Sequence, residues 1–542
     1  MKNKILKNKN KIIIFFLWLI HTIYFFSHNL LMCWDSSVYL GMSLVIGTSA
    51  IKDVWLSVRG ISFPFLLRLF EPFGFQNKYF LLVLTYIFYM YLIIFIYKIG
   101  KKTNLFQNRL TKYIYIFFVI AFIIINPYVF VYYHLILTEF IVMTLNIIFV
   151  YLLYNFIRLD VREKIKKSFI YAIGMSAIIT FLYHTKQSFL GMMAIDFAIG
   201  LFLSFFRHFD IKNILFKVFT CLLCASMLVG SVKVWNSYMN NKGVGKVSEN
   251  AERYTSHKAL INGLSKLKDV ANSSNLIYNN GEFKKTVQVI TNGKKLKDII
   301  TIHNEKDKEE ILNVLNKKSI YKDFTVYEDE KNDKIQYVLF TKNNYSVLEQ
   351  LPLYFRIFVR HPLIIVNSYY EGMYNTIWIP GKWAFENEAF VVNYFYYNDR
   401  TNVMDVAPGY EYAVEDLETA QHTNILDHLS FGYAVILRSI YRVNQMLVPI
   451  LFTISLVLTI IVILKNRKDS KYDDIRNNLE MVTLLYGMAF GCIISYIAFN
   501  ALIDRYLIPS HIPMFLADAL FIISIIKLVK LKQNKILVKI ED

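Results

Sequence analysis

The feature that most constrains this chain is a recurring apolar block about as long as a bilayer is thick. A membrane helix needs roughly 20 mainly apolar residues. Such blocks occur at Lys11–Leu30, Tyr79–Ile99, Tyr113–Pro127, Glu139–Ile157, Phe169–Tyr183, Phe189–Phe206, Phe216–Trp235, Val443–Leu464, Met481–Asn500 and Leu507–Leu528. Together they predict an α-helical polytopic membrane protein of about ten transmembrane helices. Composition agrees. Charged residues make up only 19% of the 542, and mean hydropathy is +0.37. A soluble enzyme of this length would carry about a quarter charged residues. Disorder is excluded over most of the chain, because aromatic residues alone reach 16%.

The charges that remain are ordered. Basic clusters recur at Lys98–Lys112, Arg158–Lys167, Arg207–Lys217, Lys465–Arg476 and Lys527–Lys539, and the first eleven residues are strongly basic. With ten spans these all fall on one side. The positive-inside rule makes that side, and both termini, cytoplasmic. The net charge of +19 then needs no nucleic-acid partner. No small-residue cleavage pattern follows Lys11–Leu30, so it reads as a retained first helix. Richness in Lys, Ile and Asn and the span count suit a bacterial plasma membrane. Cys221 and Cys224 have redox-motif spacing but lie in an apolar run, so neither a disulfide framework nor a zinc site is expected.

Three regions follow. Residues 1–235 form an N-terminal transmembrane module with a long first outer loop, 31–78. Residues 236–442 are extracytoplasmic, and 443–542 hold the last spans and a cytoplasmic tail. Within the outer region, 240–346 is polar and lysine-rich and reads as a small α+β insert. Its expected helices are Ala251–Val270 and Glu305–Lys318. One hairpin is expected from Thr286–Thr291 and Asp298–Ile302 around Asn292-Gly293, another from Phe324–Glu328 and Lys334–Phe340. The aromatic, amphipathic stretches Val347–Tyr374 and Ala389–Tyr397 are expected to lie as helices along the interface, within 347–442.

Polar residues at outer helix ends are the candidates for chemistry. Asp35 follows Trp34 just past the first helix, one turn before Tyr39. A carboxylate there is either simply solvated or held toward a cavity as a base. Arg59 and Arg68 flank Gly60 and Pro64, which suggest an ordered turn; the arginines either snorkel or contact phosphate. Thr138-Glu139 opens the fourth span, and helix capping competes there with a site role. Lys186, after His184 and Thr185, breaks the positive-inside trend and suits a phosphate; His184 reads as an interfacial polar residue. Asp504-Arg505-Tyr506 precedes the last span, with Pro509 early in that helix.

In order and sidedness these five segments resemble the GT-C glycosyltransferase superfamily. The likeness is to its protein O-mannosyltransferases and lipid A aminoarabinose transferases. Asp35 matches the aspartate of the first outer loop, in Asp-x-x-x-Tyr-Leu. Arg59-Gly60 through Pro64, Thr138-Glu139, Thr185-Lys186 and Arg505-Tyr506 with Pro509 match the later elements. Many relatives have Asp-Glu where this chain has Asp35-Ser36, and the 240–346 insert matches no partner module.

The resemblance implies an inverting transferase acting at the outer face, with Asp35 as general base. The donor would be a polyprenyl-phosphate-linked sugar, and the acceptor a glycan, lipid or protein. Lys186, Arg505 and Arg59 would bind the leaving phosphate, with Tyr39, Glu139 and Tyr506 lining the substrate site. No cofactor or metal is implied, and membrane lipid is the other partner. The competing readings are a polysaccharide polymerase or ligase using lipid-diphosphate glycans, a transporter or flippase, and a non-catalytic scaffold or receptor.

Overall fold

In the computed structural model of the protein, the described residues are 15–27, 34–51, 60–70, 78–160, 164–185, 190–208, 210–241, 301–302, 324–331, 334–341, 395–398, 403–406, 425–466, 470–499 and 507–541. The helices are α1 Phe15–Phe26, α2 Trp34–Val45, α3 Ser62–Phe70, α4 Lys78–Lys102, α5 Arg109–Val119, α6 Pro127–His134, α7 Glu139–Arg158, α8 Ile165–Tyr183, α9 Leu190–His208 and α10 Ile211–Asn241. After the strands come α11 Ile425–Asn466, α12 Asp473–Phe499 and α13 Ile508–Glu541. Eight helices among the described residues are long and apolar enough to cross a membrane, or nine if the bent pair α5–α6 counts as one span. The protein is an α-helical polytopic membrane protein.

Its exterior has the pattern lipid requires. On α11 the residues Val443, Leu447, Ile450, Ile454, Val457, Ile461 and Leu464 are all exposed. They recur at alternating spacings of four and three, which keeps them on one helix face. At 1.5 Å per residue the stripe is about 32 Å long, the thickness of the hydrocarbon core. The outward face of α4 does the same with Val83, Ile87, Tyr91 and Ile94. Two helices form the centre instead: the most apolar stretches of α7 and α12 are 78% and 89% buried. That of α10 is only 12% buried, which puts it at the periphery.

The bundle has a cation-rich end, where the connections after α4, α7, α9 and α11 meet. There Glu480 of α12, almost wholly buried, lies 2.5 Å from Arg207 of α9 and 4.0 Å from both Arg158 of α7 and Arg476 of its own helix. Asn104, after α4, donates to Asp474 at the start of α12 (2.9 Å). In the amide orientation that satisfies both neighbours, Asn478 donates to the Thr103 carbonyl (2.8 Å) and accepts from Lys527 Nζ (3.2 Å). Lys217 Nζ, buried, donates to the Ile157 carbonyl and to Ser204, each at 2.8 Å.

Several expectations are changed or refined. The third span is not one straight helix. A π-helical turn at Ile120–Ile124 ends α5, and α6 starts at Pro127 with a 47° bend. The cause is Asn126-Pro127. Proline disfavours α geometry in the residue before it, and the Asn126 side chain caps α6 by accepting from Tyr128 N (3.0 Å). The Gly60–Pro64 stretch is not merely a turn, because Ser62 opens α3; Pro64 falls in its first turn, where a missing N–H costs nothing. Helix α11 begins at Ile425, so it runs on through the expected boundary at 442/443 without a break. Finally, part of Ala389–Tyr397 is not helical. Strand β4 (Phe395–Asn398) pairs antiparallel with β5 (Val403–Val406), as suits a run of Phe and Tyr followed by Val.

Within the expected insert, β1 (Thr301–Ile302) and β2 (Phe324–Lys331) both pair antiparallel with β3 (Lys334–Thr341). The register sets Lys331 opposite Lys334, so this hairpin covers the expected stretches 324–328 and 334–340. The expected helices 251–270 and 305–318, the strand 286–291 and the interfacial stretch 347–374 lie outside the described residues.

Candidate functional site

At the end of the bundle opposite the cation cluster, four of the five segments come together. Helix α2 opens on Trp34 and Asp35, so Asp35 sits in the first turn, where the helix dipole favours an anion. Its backbone alone is described. The next residue anchors that turn: the buried Ser36 hydroxyl donates to the Ile136 carbonyl (2.9 Å). Ile136 belongs to the tight link 135–138, closed by Leu137 N to the Leu135 carbonyl (2.8 Å), which leads into Glu139. Tyr39, buried one turn along α2, meets Phe63 of α3 edge-on at 5.0 Å between centroids, and Phe63 meets Phe140 at 6.0 Å. Thus the turn carrying Asp35 and the turn carrying Glu139 are bound to each other.

Glu139 is itself buried. Thr138 does not cap α7 with its side chain; its hydroxyl instead faces the Glu139 carboxylate, Oγ1 to Oε2 at 3.3 Å. Thr138 already has helical backbone angles, which an N-cap residue does not. The capping account of this pair therefore fails for Thr138, and Glu139 is a buried acid beside the α2 turn.

The Gly60 segment docks on the end of α8. Ser62 N donates to the His184 carbonyl (2.9 Å). A Cβ on Gly60 would fall 1.9 Å from that oxygen and 2.7 Å from the Thr185 carbonyl oxygen. Backbone atoms cannot swing aside, so glycine is required for close approach. Gly60→Ala should therefore undock α3. Hydrogen exchange across residues 60–70 should rise about tenfold or more, since the contact holds at least one backbone hydrogen bond. Unchanged exchange would show that the contact does not hold α3.

His184 has a second tie. Its Nε2 lies 2.9 Å from Ser231 Oγ, whose own proton goes to the Leu228 carbonyl (2.7 Å). The imidazole must therefore donate from Nε2. Burial lowers its pKa below the usual 6.5. A depressed histidine pKa means the unfolded chain binds the proton first, so its contribution is present above pH 6.5 and lost as pH falls toward the folded value. Thermal stability in detergent should decline below about pH 6.5, and His184→Gln, which still donates to Ser231, should blunt the decline. Identical pH profiles would remove His184 as the source.

Arg59, Lys186, Arg505 and Tyr506 lie outside the described residues. In sequence, Arg59 adjoins Gly60, and Lys186 adjoins Thr185, which is buried with its hydroxyl on the Phe181 carbonyl (2.8 Å). Arg68 is described, in the last turn of α3. Leu507 and Ile508, which follow Arg505-Tyr506, are buried at the start of α13. Among the described residues, no three His, Cys, Asp or Glu side chains stand close enough to hold a metal ion.

A polar cluster inside the spans escaped the sequence reading. Asp518 of α13 accepts from Tyr486 (2.6 Å) and from Asn444. His511 lies 3.0 Å from Gln445 and stacks on Tyr441 at 3.8 Å, and Tyr441 meets Asn126. Asp196 of α9 is fully buried, and neither of its oxygens has a partner among the described residues. The one signal was a lone acid within each apolar run. Comparison with protein-family models, with curated proteins and with solved structures finds no match.

Proposed function

We propose that this protein is an integral membrane glycosyltransferase that moves a sugar from a polyprenyl-phosphate carrier to an acceptor hydroxyl at the outer face. The observation that carries the reading is the joining of the Asp35 turn to the Glu139 link through Ser36 and Ile136, with the Gly60–His184 contact at the same end of the bundle. Asp35, Tyr39 and Glu139, far apart in sequence, lie on elements that meet at this end.

In the reaction, the Asp35 carboxylate takes the acceptor hydroxyl proton. The acceptor oxygen attacks the anomeric carbon from the face opposite the phosphate, forming the new glycosidic bond. The bond from that carbon to the phosphate oxygen breaks, its electron pair leaves on the polyprenyl phosphate, and the configuration inverts. The proton on Asp35 passes to water. Lys186, Arg505 and Arg59 would stabilise the charge developing on the phosphate. Tyr39, Glu139 and Tyr506 would shape the sugar pocket.

On this reading α1 and the α5–α6 pair each complete a span, giving ten, and the cation-rich end is cytoplasmic. Cysteines introduced at Lys246 and Lys468 should then label from opposite sides; labelling of both from outside would sink the topology. The function itself is tested by profiling glycans and lipid-linked sugars in cells with and without the gene. A missing glycan with accumulated monosaccharide phosphate carrier supports it. Accumulated oligosaccharide diphosphate carrier would favour a polymerase or ligase instead.

A second reading has its own observation. Ionisable residues inside spans often mark transport or proton pathways, and Asp196, Asp518 and His511 all lie there. Solute uptake driven by a pH gradient in proteoliposomes, abolished by Asp518→Asn, would favour transport.

A further inference from the structure

The cation-rich end holds a cleft of about 470 Å³. It opens where the ends of α4 and α7, the start of α8 and the first turns of α12 meet. Lys102, Arg158, Lys164 and Lys167 converge on it from three helix ends, and no carboxylate is among the residues that line it. Arg158 is partly neutralised, being 4.0 Å from Glu480. No carboxylate among the described residues pairs with the three lysines.

The floor of the cleft is amide. Asn155 of α7 and Asn477 of α12 are 7% and 9% exposed. Asn155 Nδ2 is held on the Tyr151 carbonyl (2.6 Å). Asn477 Oδ1 has no hydrogen-bond partner among the described residues. Cations converging over an amide floor, with no carboxylate among the lining residues, ask for an anion.

We infer that this cleft binds a phosphate-bearing anion of at least two negative charges, its oxygens on Lys102, Lys164, Lys167 and Arg158. The volume suits a bisphosphate or diphosphate group and lies within the usual range for ligand pockets. Its level suits a lipid headgroup. It lies at the ends of spanning helices, and Tyr171, on its wall, is the kind of side chain that sits at the interface. Basic pockets between helices at the cytoplasmic surface bind such headgroups. A soluble diphosphate would offer the same chemistry. The site lies at the end of the bundle opposite Asp35, so it is independent of the proposed transfer reaction.

The full-length protein, purified in a neutral detergent, tests this with two probes. One is a diphosphatidylglycerol, with phosphatidylcholine as control, read by native mass spectrometry. The other is inorganic pyrophosphate, read by thermal shift. Two exposed pairs are compared: K164Q/K167Q in the cleft, and K530Q/K532Q at the same end but outside it, which removes equal charge. Wild type should bind at least one probe. K164Q/K167Q should bind it about tenfold more weakly, and K530Q/K532Q should match wild type. Lipid binding alone assigns a headgroup, and pyrophosphate binding alone assigns a soluble ligand. No binding by wild type, or equal weakening in the two pairs, would overturn the site, the latter by showing only general charge attraction.

Discussion

Replacing Asp35 by asparagine should cut sugar transfer by about 10²–10⁴-fold, the usual loss when a general base is removed. The amide keeps the side chain's size and much of its hydrogen bonding but cannot take a proton at neutral pH. The fold should survive. The first turn of α2 is held by the Ser36 bond to Ile136 and by Tyr39 against Phe63, and both residues remain. An anion near a helix N-terminus contributes about 0.3–1 kcal/mol, which is little against a whole membrane bundle. The measurement is turnover of purified, monodisperse Asp35→Asn with a polyprenyl-phosphate sugar donor. Near-normal turnover would remove Asp35 as the base and leave Glu139, buried beside the same turn, as the next carboxylate to replace.

The spans were legible in the sequence because lipid imposes a one-dimensional rule. Seven exposed aliphatic residues on α11 fill the block expected from Val443 to Leu464. What the rule could not give is where a helix continues past the membrane, and so α11 starts eighteen residues earlier than that block. The same limit hid the bend in α5–α6. Ile120–Ile125 is apolar throughout, and only Asn126-Pro127 marks the break.

At the site, position was legible and role was not. Gly60 stood out as a glycine near a proline, which suggested a turn. Its actual constraint is a carbonyl oxygen on His184, more than a hundred residues away, and a backbone atom leaves no trace in a residue pattern. Thr138-Glu139 has the look of a cap, yet Glu139 is buried, and the link before it is tied to Ser36 of α2, which no local spacing encodes. The polar network inside the bundle is illegible for the same reason: Asn126 and Tyr441 are 315 residues apart in sequence.

Glu480 should prove the most costly single residue to neutralise. It is one carboxylate facing three guanidiniums, from α7, α9 and its own helix. Arg476 has a second acid, Asp473 at 2.6 Å, and Arg158 leans on the Tyr154 ring at 4.8 Å. Arg207 has no other carboxylate within pairing distance among the described residues. Glu480→Gln keeps the shape and removes the charge, so Arg207 is left charged, nearly buried and repelled by its neighbours. Breaking a buried pair from one side costs about 3–5 kcal/mol, more than the pair itself contributes. The loss should appear as a lower unfolding midpoint in detergent and a smaller folded fraction on purification. The sign of a second change separates charge from packing. If uncompensated charge is the cause, Arg207→Gln added to Glu480→Gln should recover part of the loss, because the stranded cation is gone. If Glu480 matters only as filler between α9 and α12, the second substitution should lower stability further. A single Glu480→Gln within about 1 kcal/mol of wild type, the range of exposed ion pairs, would mean that water reaches the cluster and that the cation-rich end is held by its apolar contacts alone.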